Sequence, residues 1–181
     1  MIDLVDWSVV ENALQVELAR GLDLTGDRVR WSKPSGDAPV TAGDYAVIAI
    51  EGNTSLAPAT PEQRIETNPV ATPGAEILIS SVEPVEFTLV VDVFSMRREG
   101  NHSAFARANR ARSALGLEST TATLEAAGLA VVQTEGVQSI PALLETEYQG
   151  RARFNALIRV SGGSQESATY IETAEWVSSL T

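Results

Sequence analysis

The stretch that decides the fold is YQGRARFNALIRV, residues 148–160. Its alternate positions form two sets. The apolar set is Tyr148, Gly150, Ala152, Phe154, Ala156, Ile158 and Val160, and the other set is Gln149, Arg151, Arg153, Asn155, Leu157 and Arg159. A helix would spread the three arginines around its circumference, whereas a strand places them on one side. The pattern therefore predicts a long β-strand with one apolar side and one basic side.

Further strands are predicted on both sides of this one. Residues 161–164, SGGS, are typical of a turn, so residues 168–176 are expected to return as the second strand of a hairpin. Residues 86–94 alternate between apolar and mixed positions, and residues 45–50 are apolar on both sides, as in a central strand. Shorter strands are predicted at residues 28–33, 75–82 and 129–133.

Three helices are predicted, at residues 6–20, 102–115 and 119–128. Asp6 is suited to cap the first helix, and Gly21 is suited to end it. The third helix is expected to be capped by Ser119 or Thr120. Alanines at helical spacing in the second helix predict close packing against a sheet.

This order of elements predicts an α+β (mixed α/β) fold in a single domain, residues 1–181. Its core is one mainly antiparallel or mixed β-sheet with helices packed on one face. Residues 52–74 contain four of the eight prolines, which predicts a protruding loop or hairpin, or an arm that reaches a neighbour.

Composition limits the possible classes. The chain has no cysteine and no apolar run near the ~20 residues of a membrane span, and its first residues lack the basic character of a signal peptide. These features predict a cytoplasmic site of assembly and no membrane partner. The net charge is −11, with −10 in residues 1–92, +2 in residues 93–160 and −3 in residues 161–181. Such a division suits subunits that meet through unlike surfaces, although charge also serves solubility.

The residues give little support for catalysis. The single histidine, His102, precedes a helix, and Glu145 and Glu147 are expected to be solvated or paired with arginines. No phosphate-binding or serine-nucleophile motif occurs. We therefore predict no catalytic residues, no metal site and no cofactor. A small enzyme that uses His102, Glu145 and Glu147 remains the alternative from a different class.

The basic side of the 148–160 strand is expected to bind a partner. Arginines at alternate positions repel one another on a solvated surface, and arginine binds carboxylates well. We predict that they hold carboxylates of a sibling molecule, while a solvated sheet surface is the simpler alternative. The predicted interface residues are Arg151, Arg153, Arg159, Arg97, Arg98, Arg107 and Arg110.

Residues 86–176 resemble a known family. The matching pieces are FTLVVDVF, then REGNHSAFARANRARSAL, AAGLAVVQ, VQSIPALLETEYQGRARFNALIRV and ATYIETAEW, preceded by RVRWSKPSGDAPVTAGDYAVIAI. Tyr148, Arg151 and Ala152, followed by an alternating strand, are the most telling part. Together these pieces resemble the neck or tail-terminator proteins of tailed bacteriophages.

The resemblance implies a structural virion protein of the tail or neck that is assembled in the host cytoplasm. It would form a homo-oligomeric, hexameric ring on the last ring of the tail tube protein and stop tail polymerisation. It would also join the tail to head-completion or connector proteins, and DNA would pass through without specific binding. A different head–tail connector or a tube-associated assembly protein is the nearest alternative.

Overall fold

The computed structural model describes residues 2–3, 6–32, 43–55, 62–67, 77–96, 100, 102–140, 142–144 and 147–168. The helices are α1 (Trp7–Leu22), α2 (Ala104–Ala114) and α3 (Glu118–Ala126), with a 3-10 turn at Gly26–Arg28. The strands are β1 (Ile2–Asp3), β2 (Val29–Trp31), β3 (Tyr45–Ser55), β4 (Glu62–Thr67), β5 (Ile77–Ser95), β6 (Leu129–Thr134), β7 (Gln138–Ser139), β8 (Ala142–Leu144) and β9 (Glu147–Ala168). The predicted α+β fold is confirmed.

The sheet is organised around β9, which contains the 148–160 stretch. β9 pairs antiparallel with β5 over the whole length of β5, from Ile77 opposite Ala168 to Ser95 opposite Gly150. The other edge of β5 pairs with β4 and then β3, and β2 lies parallel to β3. The other edge of β9 pairs with β8, β7, β6 and β1 in turn. The sheet is therefore mixed, with β5 and β9 at its centre.

The core lies on one side of this sheet. Ala152, Phe154, Ala156, Ile158 and Val160 of β9 are all at most 2 % exposed. They form one cluster with alternate residues of β5 and with the buried faces of α1, α2 and α3. Burial of each large side chain contributes about 1.5–3 kcal/mol, so this side supplies much of the folding energy. The prediction of helices on one face is confirmed.

Helix α1 begins as predicted but ends differently. The Asp6 carboxylate accepts a hydrogen bond from the Ser8 amide at 2.9 Å, as an N-cap should. The left-handed residue after the helix is Asp23, with φ 56°, rather than Gly21. A Cβ on Gly21 would lie 3.0 Å from the Ala111 Cα, so this glycine allows α1 and α2 to approach closely. Helix α3 also departs from prediction, since its N-cap is Leu117 without a side-chain hydrogen bond.

The prediction of a turn at residues 161–164 is wrong. These residues continue β9, where Gly162 and Gly163 pair with Glu83 and Val82 of β5. Strand β5 is likewise continuous where two strands were predicted. Its Pro84 lies opposite Ser161 and falls between the residues that pair with β4 and those that pair with β3. Residues 169–176 of the expected hairpin lie outside the described residues.

The 52–74 segment is described in two pieces, and both are strand. Residues up to Ser55 extend β3, and β4 pairs antiparallel with β5 from Glu62 opposite Val82 to Thr67 opposite Ile77. Residues 56–61 and 68–74 lie outside the described residues. Within the described part of the chain, no helix has the length and apolar character needed to cross a membrane.

Candidate subunit interface on the open sheet face

The side of the sheet opposite the core carries the predicted arginines. We call it the open face and define it by Asp92 and Phe94 of β5 with Arg151, Arg153 and Arg159 of β9. Strand alternation points these residues away from Phe154 and its buried neighbours, which contact the helices. The predicted separation of the two sides of this strand is therefore present in the structure over residues 150–160.

Asp92 binds two arginines at once. Arg153 lies directly opposite Asp92 in the β5–β9 register, and its Nε and Nη2 donate to the carboxylate oxygens at 3.0 and 2.6 Å. Arg151 Nε and Nη2 donate to the same oxygens at 3.0 and 3.1 Å. Each guanidinium thus makes a bidentate, charge-assisted contact, and the four acceptor sites of the carboxylate are used. This arrangement offsets the repulsion between arginines two residues apart.

The protonation behaviour of Asp92 follows from this geometry. Burial by itself would raise the pKa of the carboxyl group, but hydrogen bonds from Arg153 and Arg151, with their positive charge, outweigh it. The pKa of Asp92 therefore lies below its ordinary value of 3.8. In return, the hydrogen bond to Asp92 raises the pKa of Arg153. Asp92, Arg151 and Arg153 form one group, called the Asp92 triad below, with a formal net charge of +1.

An aromatic pair fixes the position of Arg151. The rings of Tyr45 and Phe94 stack with centroids 4.7 Å apart and an interplanar angle of 11°. The Arg151 guanidinium carbon lies 5.3 Å from the centroid of the Phe94 ring, which is within cation–π distance. Arg151 is therefore held both by Asp92 and by an aromatic surface, which reduces the entropy that it would lose on binding a partner.

The third arginine of the strand has a separate acid. Arg159 Nε donates to Glu86 Oε1 at 2.9 Å, and its side chain is 48 % exposed. Nearby, Asn155 Nδ2 donates to Glu135 Oε2 at 2.8 Å. A pair as exposed as Arg159–Glu86 contributes little to stability. It does show that the open face mixes both signs of charge.

The acids that bind Arg151, Arg153 and Arg159 in the structure belong to the same chain. The prediction that a sibling molecule also supplies carboxylates to these arginines stays a prediction. Sequence reasoning overlooked Asp92 and Glu86. The sequence did contain a signal for them. Asp92 and Glu86 lie on the same side of the predicted 86–94 strand, and an antiparallel neighbour would place them beside the arginines.

Arg107 corrects the sequence-based prediction. Its side chain is only 8 % exposed, and its Nη1 donates to the carbonyl oxygens of Leu22 and Asp23 at 2.7 and 2.8 Å. Its Nη2 lies 3.2 Å from Asp44 Oδ2. Arg107 thus joins the end of α1 to α2 and to the start of β3 inside the protomer. An exposed contact residue was expected here, and burial rules out that position.

Of the remaining predicted residues, the structure describes only Arg110, which lies elsewhere. Arg110 Nη1 is 3.4 Å from Asp23 Oδ2 on the helical side, and both side chains are exposed. Arg97 and Arg98 lie outside the described residues. Of the five predicted arginines that the structure describes, the open face therefore brings together three.

The residues of the enzyme alternative are not assembled into a site. His102 Nδ1 lies 3.4 Å from Arg107 Nη2. Glu145 and the side chain of Glu147 lie outside the described part of the structure. Among the described residues, no group of three or more histidines and acids could hold a metal ion.

Comparison with known proteins identifies the family. A family model described as "Phage neck terminator protein" matches residues 8–181, which includes α2, α3 and all of α1 except its first residue. The chain belongs to the phage neck terminator protein family. This match confirms the resemblance found in the sequence, and the family is structural rather than enzymatic. No curated protein matches the chain.

Proposed function

We propose that this phage neck terminator protein forms a hexameric ring that caps the tail tube, terminates tail polymerisation and joins the tail to head-completion proteins. The observation that carries this proposal is the family match over residues 8–181. A ring subunit needs two different complementary surfaces, one for each neighbour. The open face supplies a candidate for one of them.

The Asp92 triad can accept a further acid from a neighbour. Each guanidinium has five N–H donors, and Arg151 and Arg153 each direct two of their nitrogens at Asp92. Their side chains remain 28 % and 35 % exposed, so the other donors are accessible. One negative charge from a neighbour would neutralise the triad, and residues 1–92 carry a net charge of −10. Asp92 thus positions the arginines, and a sibling carboxylate completes the contact.

The same charges bear on DNA. A chain with a net charge of −11 repels phosphate over most of its surface, and in the ring the accessible donors of the open-face arginines would face the carboxylates of a neighbouring subunit. DNA therefore passes through the ring without specific binding. Assembly takes place in the host cytoplasm, before the ring joins the virion.

The interface test must preserve the fold. Reversing the charge of Arg151 or Arg153 would place two acids beside each other, so the suitable variant is R151K/R153K. Lysine keeps the positive charge for Asp92 but loses the planar set of outward donors. We expect a folded monomer with a lower melting temperature, because the bidentate contacts with Asp92 are lost, and fewer rings in light scattering. The matched control, R110K, changes an exposed arginine on the helical side and should leave assembly unchanged.

The biological role is tested by electron microscopy of tails. Particles made without this protein should have tails of irregular or excessive length that fail to join heads. Adding the purified protein should restore joining, and labelled protein should be found at the head end of the tube. Tails of normal length without it would overturn the terminator role, and full assembly by R151K/R153K would overturn the open-face interface alone.

A further inference from the structure

Strand β6 is an edge strand of the sheet among the described residues. One edge of Leu129–Thr134 pairs with residues 156–160 of β9, and no described strand pairs with the other edge. A shift in register between Val131 and Gln133 leaves Val132 unpaired and 45 % exposed. An open edge of this kind presents backbone donors and acceptors that can pair with another strand.

A groove of about 440 Å³ lies beside this edge. Leu115 and Val131 supply apolar walls, while Arg112 and Glu125 supply charged groups. The Arg112 Nε is buried and has no hydrogen-bond acceptor among the described residues. A buried N–H without an acceptor costs free energy, so an acceptor brought by a partner would be stabilising. The edge and the groove together suit an extended segment with carbonyl or carboxylate groups.

The segment that follows β9 starts far from its own β6. The last residue of β9, Ala168, is eight positions beyond Val160, the partner of Leu129, which is about 26 Å along an extended strand. A return beside β9 is blocked on one edge by β5 and on the other by β1, which pairs with Ser164 and Gln165. Thirteen extended residues span about 40 Å, which is long enough to reach a neighbouring subunit of the proposed ring.

The chemistry of this segment fits the site. Residues 169–181, TYIETAEWVSSLT, contain several β-branched and aromatic residues, which favour strands. They also contain Glu172 and Glu175 and no basic residue, so they can supply an acceptor to Arg112. We propose that residues 169–181 of a second copy add to the open edge of β6 and lie over the groove. This inference rests on the proposed ring, for which it names a contact between subunits.

The absence of native cysteine allows a direct test on the full chain. V132C and A174C are made as two separate proteins, mixed and oxidised, so that any mixed disulfide must join different molecules. T173C is run beside A174C because the two residues would face opposite sides of an added strand. The control replaces V132C with V16C, whose position on α1 is 54 % exposed. We expect a mixed dimer with V132C and its loss with V16C.

A chain that carries both V132C and A174C distinguishes the two possible sources of the segment. A disulfide within the monomer, without a mixed dimer, would overturn the proposal in favour of the chain's own segment. Light scattering before oxidation separates this inference from the proposed function. Rings that give no V132C dimer with A174C or T173C overturn only the strand addition, whereas the absence of rings and dimers overturns both.

Discussion

The two faces of the sheet are built from alternate residues of the same strands, but their side chains are stabilised by different interactions. Phe154 and its neighbours are buried against three helices, while Arg153, one residue away, lies on the open face and pairs with Asp92. The face that packs against the helices, called the covered face below, is stabilised by the burial of apolar area. This kind of stabilisation tolerates changes in the identity of the contacting residues. The open face depends on a particular acid at a particular register position.

The difference matters for assembly. A covered face that supplies the folding energy frees the other face to carry charged groups that add little to stability. Those groups can then be arranged for a partner. The comparison leads to four predictions, in order of decreasing effect.

Truncation of the covered face should have the largest effect. We expect F154A to lower the free energy of unfolding by about 3–5 kcal/mol, because it removes a fully buried ring and leaves a cavity. L157A, three residues along on the open face, should cost about 1 kcal/mol, since Leu157 is half-buried. Urea unfolding measures both. Equal losses would mean that the two faces are not energetically distinct.

Removal of the Asp92 charge should have the next largest effect. D92N leaves two guanidinium groups without their carboxylate, and we expect a loss of about 2 kcal/mol, because both groups keep some contact with water. E86Q, which breaks the exposed pair with Arg159, should cost less than about 1 kcal/mol. The two variants are compared by the same urea titration. A D92N loss no larger than that of E86Q would contradict the role given to the triad.

Close packing of α1 and α2 on the covered face gives the third prediction. G21A adds a Cβ only 3.0 Å from the Ala111 Cα and 3.2 Å from the Ala114 Cβ. We expect a net loss of about 1 kcal/mol, since crowding outweighs the gain in helix propensity. Gly26 has no atom within 4 Å of its Cβ position, so G26A is the control and should be nearly neutral. A rise in melting temperature for G21A would show that the helices can move apart freely.

The smallest predicted effect is the pH dependence of the stability that Asp92 contributes, since this contribution does not change near neutral pH. The folded-state pKa of Asp92 is below 3.8, so its contribution to stability is fully present above the unfolded pKa and is lost as pH falls through the folded value. The stability difference between wild type and D92N should therefore be constant from about pH 5 to 7 and shrink below about pH 4. Urea titrations across this range test it. A difference that grows on acidification would reverse the assigned direction.

Local pattern predicted much of the covered face. Alternation in residues 148–160 identified the strand and its buried side, and Asp6 marked the start of α1. Gly162 and Gly163 led to the wrong prediction of a turn, because glycines that favour a turn also fit a strand when β5 provides a partner along its whole length. Gly21 was assigned to a helix end, although its role is the close contact with Ala111.

The open face was predicted only in part. The row of arginines was visible, but their acids were not, because Asp92 is 59 and 61 residues from Arg151 and Arg153, and Glu86 is 73 residues from Arg159. Arg107 and Arg153 look alike in sequence, yet one is buried at a helix junction and the other lies on a sheet surface.

The sequence by itself determined the α+β composition, the two-sided character of β9 and the membership of the phage neck terminator family, because these depend on residue types at short spacing. The tertiary structure alone decided which acids hold the arginines, where β9 ends among the described residues and which edge of the sheet is open. These features depend on the register between strands distant in the chain, which no local pattern contains.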